Sequence, residues 1–81
     1  MDKTEVQQIA GFLLECQEAL YEWDGTGTMA LYLHRLYEVI HEIENARPDR
    51  SARDVRFALV LAAKKARRLR RQIEKRLRVR N

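Results

Sequence analysis

A single cysteine, a single proline, a single serine and three glycines are spread over 81 residues. Each scarcity excludes something. Cys16 alone forms no intrachain disulfide, and it cannot supply the several thiolates of a cysteine-based zinc site. One serine and two histidines leave no Ser-His-Asp set. No stretch approaches the roughly 20 uninterrupted apolar residues of a membrane span. The first residues, Met1-Asp2-Lys3-Thr4-Glu5, are acidic and polar and lead directly into a helical pattern, which is not the character of a secretory signal. These features together predict a cytoplasmic protein with no membrane association. A chain of this length buries a modest fraction of its surface, and stability is commonly supplemented by crosslinks, metals or association. With the first two excluded, a homo-oligomer is expected.

What is present is helical periodicity. The spacing predicts a single all-α domain over 1–81: a first helix over about 5–23, a second over about 29–46 and a third over about 52–80. Val6, Ile9, Leu13, Cys16, Leu20 and Trp23 recur at threes and fours on one face of the first helix, and Ala10, Phe12, Leu14 and Tyr21 widen it. Thr4 and Gln7 have capping-box spacing, and Asp24-Gly25 supplies a stop. The second stripe is Met29, Leu33, Leu36, Ile40 and Ile43, with Tyr32 and Val39 alongside. Thr26 or Thr28 can cap this helix, and Pro48 bars its continuation. A connection of about four residues makes the first two helices an antiparallel hairpin.

The third helix can start at Ser51 with Asp54, and it contains no proline or glycine. Its stripe reads Val55, Leu59, Ala62, Ala66, Leu69, Ile73 and Leu77. Phe57 to Ala63 is apolar on every side, a pattern that predicts burial all round. At about 1.5 Å per residue the hairpin helices span roughly 27 Å each and the third about 43 Å. The third helix therefore extends past the hairpin. Its last ten or so residues are expected to project, or to pack on a second copy through a seam of Leu69, Ile73 and Leu77.

Charge is divided along the chain. Residues 1–49 carry three basic side chains against ten carboxylates, a net −7, and residues 50–81 carry thirteen against two, a net +11. From Lys64 onward the third helix is strongly basic: ten of the seventeen residues 64–80 are Lys or Arg, and Glu74 is the sole acid. Like charges one turn apart repel by a few tenths of a kcal/mol per pair, so an anion opposite this segment would stabilise it. The candidate anion-binding residues are Lys64, Lys65, Arg67, Arg68, Arg70, Arg71, Lys75, Arg76 and Arg78. Seven of the ten cations are arginines, whose planar forks suit phosphate and carboxylate. Three anions qualify: nucleic-acid phosphate, an acidic surface on another protein, or the chain's own Glu15, Glu18, Glu22, Glu38, Glu42 and Glu44. No aromatic follows Phe57, so the segment itself offers no base stacking, and no helix-turn-helix or zinc-finger pattern is present.

Other constellations yield to plainer readings. His34, Glu38 and His41 share a helix face but lack a fourth ligand, so no metal is expected. Asp24-Gly25-Thr26-Gly27-Thr28 lacks the lysine and strand of a phosphate loop and reads as a helix-to-helix turn. Cys16 reads as a small core hydrophobe. Tyr37 falls off the main stripe and is the aromatic expected to be exposed, at an interface that also takes Phe57, Leu61, Leu69, Ile73 and Leu77. With no nucleophile–base set and no concave site expected, neither catalysis, cofactor nor small-molecule substrate is predicted. The expectation is a binding protein whose basic helix engages nucleic-acid backbone. The alternative is an adaptor or inhibitor, of the kind phages and mobile elements produce, that blocks a protein target.

Overall fold

The computed structural model describes residues 2–25, 29–46 and 53–79, Val79 by its backbone alone. Three helices account for almost all of it: α1 (Lys3–Glu22), α2 (Met29–Glu44) and α3 (Arg53–Val79). The described residues contain no strand. Thr26, Thr28, Pro48, Ser51 and Arg80 lie outside the described residues, so the capping and stop roles expected of them are not addressed.

The cap of α1 is Asp2, not Thr4. Its Oδ1 accepts the backbone N–H of Glu5 at 2.9 Å, and its carbonyl accepts that of Val6 at 3.1 Å. An acidic cap also complements the positive end of the helix dipole, which a threonine hydroxyl does less well. At the other end Trp23 leaves helical geometry, and Gly25 adopts φ 94°, a left-handed value that glycine tolerates because it has no Cβ.

The helices are arranged around α3. Tyr37 pairs with Glu74 and Glu44 with Arg67, so α2 and α3 are antiparallel. Phe12 of α1 stacks on Tyr32 of α2 with ring centres 6.4 Å apart. Glu5 and Gln8 lie further along, beside Val39 and Glu42, so α1 and α2 are antiparallel too. It follows that α1 and α3 run parallel, and Arg76 reaches Leu20 and Trp23 at their common end. Both α1 and α2 pack extensively on α3 and much less on each other. The core cluster takes Ile9, Leu13, Cys16 and Leu20 from α1, Met29, Leu36, Val39 and Ile40 from α2, and Ala62, Ala66, Leu69 and Ile73 from α3. The buried positions of α3 carry small side chains at Ala62 and Ala66 and larger ones at Leu69 and Ile73.

Two expectations are corrected here. The basic end of α3 does not project: Leu69 and Ile73 are buried and Leu77 packs against the core. These three leucine and isoleucine side chains therefore serve the chain's own interior and are not free to form a seam with another copy. The apolar start of α3 is the part left uncovered. Since α2 ends at Glu44, opposite Arg67, the earlier turns of α3 lack that neighbour among the described residues. Leu59, Ala62 and Ala63 are buried, whereas Phe57, Val60 and Leu61 are exposed. Leu14 and Tyr21, expected to widen the core face of α1, are exposed as well, as is Ala10.

Cys16 is fully enclosed, and burial, with a smaller contribution from nearby Glu15, pushes its thiol pKa from 9.0 up to about 11. The folded chain thus holds this proton where the unfolded chain has lost it, and stability falls as pH rises from about 9 through about 11. The loss is about 2 kcal/mol by pH 11. Urea midpoints measured across this range should decline less steeply for Cys16→Ala than for the native chain. Equal slopes would show that the thiol does not contribute.

Candidate anion-binding face

Stripe residues of α3 point inward, which forces its Lys and Arg side chains onto the two flanks and the outer ridge. On the α2 flank the charges are matched from within. Arg67 Nη2 donates to Glu44 Oε1 at 3.2 Å. Glu74, the one carboxylate of the basic segment, lies 4.0 Å from Arg70 and 3.7 Å from Arg78. It also accepts the hydroxyl of Tyr37, over whose ring the Arg70 guanidinium sits at 5.4 Å. That hydrogen bond to Glu74 holds the Tyr37 phenol above its ordinary pKa, with desolvation and the carboxylate's charge adding to it. Tyr37 is half-exposed, and its polar tip is committed to α3 of the same chain.

On the α1 flank Arg76 is committed differently. Its Nη1 donates to the Leu20 carbonyl at 2.9 Å and its Nη2 to the Trp23 carbonyl at 3.3 Å, with the guanidinium 4.8 Å from the Trp23 ring centre. The last turn of α1 has no basic residue of its own. Arg76 supplies a positive charge where the helix dipole is negative and adds side-chain donors at the helix end, where the Leu20 carbonyl also accepts the Trp23 backbone N–H at 3.3 Å. It is a structural clasp.

The remaining five candidates stand open. Lys64, Lys65, Arg68, Arg71 and Lys75 make no ion pair or hydrogen bond among the described residues. Lys64, Arg68, Arg71 and Lys75 follow at four, three and four residues and form a ridge along α3. The acidic hairpin does not reach it. Glu38 and Glu42 are turned to Arg35, at 2.9 and 3.1 Å, and this pairing raises the already high pKa of Arg35. Of the nine basic residues read from the sequence, four are engaged internally and five are presented outward.

A trough of about 1140 Å³ runs between α1 and α3 beside this ridge. Lys64, Lys65, Arg68, Lys75 and Arg76 line its α3 wall together with Gln72, and Gln17, Tyr21 and Trp23 line the α1 wall. Leu20, Leu61 and Leu69 add apolar surface, and no carboxylate among the described residues lines it. The α1 residues of this trough are the part that sequence reading missed, because Tyr21 and the α3 cations come to line one trough only through the packing of α1 on α3.

On α2, His34 Nε2 lies 3.0 Å from Glu38, and the side-chain amide of Asn45 lies against the His41 ring. Among the described residues no group of three or more His, Cys, Asp or Glu side chains is placed to hold a metal. Within those residues, too, no helix is long and apolar enough to cross a membrane. The fold and face define a three-helix all-α protein with an open cationic ridge and a cationic trough. Compared with known proteins, the chain matches no family model, no curated protein and no solved structure.

Proposed function

We propose that this chain is a non-enzymatic, cytoplasmic binding protein that engages the phosphate backbone of nucleic acid through the outer ridge and α1 flank of α3. The observation that carries the reading is the incomplete neutralisation of the basic helix. Lys64, Lys65, Arg68, Arg71 and Lys75 make no ion pair among the described residues, while Glu38, Glu42, Glu44 and Glu74 pair with Arg35, Arg67, Arg70 and Arg78. Crowding these like charges on one helix opposes folding, and a polyanion removes the opposition while releasing its condensed counterions.

A salt titration tests this. With five phosphate contacts, the logarithm of the association constant should fall against the logarithm of salt concentration with a slope of about −4.5 for duplex DNA and about −3.5 for single strands. Absence of binding to either polymer at low salt would overturn the proposal. That outcome would favour the second reading, a protein-binding adaptor or inhibitor. Exposed Phe57, Val60 and Leu61 at the start of α3 support that reading, since contiguous apolar surface of this kind suits a protein partner.

A further inference from the structure

Resting on the nucleic-acid reading and narrowing it, we infer that the trough between α1 and α3 is a site for single-stranded nucleic acid, with a base stacked on Tyr21. Tyr21 is 91% exposed and lines the trough opposite the lysines and Arg68 of α3. It contributes nothing to the core, so the fold does not require an aromatic ring there. An aromatic face set beside a line of unpaired cations is the combination that holds a single strand: phosphates on the cations, a base on the ring. Paired bases in a duplex are stacked on one another and offer no free face to Tyr21.

The rest of the trough agrees with this occupant. Although α1 carries Glu15, Glu18 and Glu22, none of them lines the trough, so among the described residues the lining that phosphates would meet carries no negative charge. Lys64, Arg68 and Lys75 lie along about 16 Å of helix, which spans several nucleotides rather than a single small ligand. Leu20, Leu61 and Leu69 provide apolar surface for base planes, and Gln17 and Gln72, one from each wall, bring amide donors and acceptors to base edges. Trp23 is not the platform. Its ring is already covered by Arg76, so it serves instead as a fluorescent reporter at the end of the site.

Affinities of the full chain for a short mixed-sequence single strand and for the duplex of the same sequence, at one salt concentration, provide the test. The single strand should bind more tightly, and it should perturb Trp23 emission. Tyr21→Ala should weaken single-strand binding by about 10-fold or more, the loss of one base–aromatic stack, and leave duplex binding unchanged. Tyr21→Phe keeps the ring and should bind as the native chain does. Because Tyr21 is so exposed, matched urea midpoints for the three proteins will separate binding from folding. Unchanged single-strand affinity in Tyr21→Ala, or equal loss for both polymers, would overturn the stacking site. In either case salt-dependent binding by the native chain would leave the backbone reading standing. Failure of both polymers to bind the native chain removes that reading along with this one.

Discussion

Ile73→Ala is expected to destabilise the chain by about 2–5 kcal/mol, a large part of what a domain of this size commonly has. Ile73 sits in the middle of the basic segment, between Arg71 and Glu74, yet its side chain is 0% exposed and belongs to the central cluster. Removing it leaves a void in the core cluster that all three helices share, and relaxation fills such voids only in part. Arg71→Ala, two residues earlier on the exposed ridge, should change stability by less than about 0.5 kcal/mol. Urea unfolding at constant slope distinguishes the two, because a shift in midpoint alone reports stability. If Ile73→Ala behaved like Arg71→Ala, the basic end of α3 would not be packed as described.

A chain stopped after Ala66 should lose its cooperative unfolding altogether. The stop removes more than charge. Leu69 and Ile73 leave the core, Leu77 no longer covers it, and the Arg76 clasp on Leu20 and Trp23 is lost. Burial of a large apolar side chain is worth about 1.5–3 kcal/mol, so the combined loss rivals the whole stability of a small domain. Because α1 and α2 pack mainly on α3, the hairpin has little to fall back on. Circular dichroism should show reduced helix and a broad, shallow melt. A sharp transition in the shortened chain would mean that α1 and α2 form a stable unit unaided. For the same reason, point changes on the ridge are the cleaner way to vary charge without touching the fold.

Much of this architecture was legible in the sequence. Residues spaced by three and four on α1 and α3 are the ones buried, because a helix can turn only one stripe toward its neighbours. Thr4 and Asp2 were not separable by spacing alone: each has a backbone N–H three residues on, and only the chain's geometry picks the cap. The uniformly apolar stretch Phe57 to Ala63 suggested burial on every side. Burial needs a neighbour on every side, and α2 ends opposite Arg67. Tyr21 follows Leu20 and is expected to widen the apolar face of α1, but it is exposed and lines the trough. The cations of the site were plain from composition. Which of them remain open was not, since that depends on Glu44, Tyr37 and two α1 carbonyls, brought in from as far as 56 residues away.

The dependence of α1 and α2 on α3 bears on how the chain reaches its native state. The element that holds the other two together follows both in the chain, so α1 and α2 are synthesised before the surface on which they mostly pack. Most of a helix's stability in a protein comes from packing its apolar face, which α1 and α2 do mainly on α3. Native structure is then expected to form in one cooperative event once α3 is available to both.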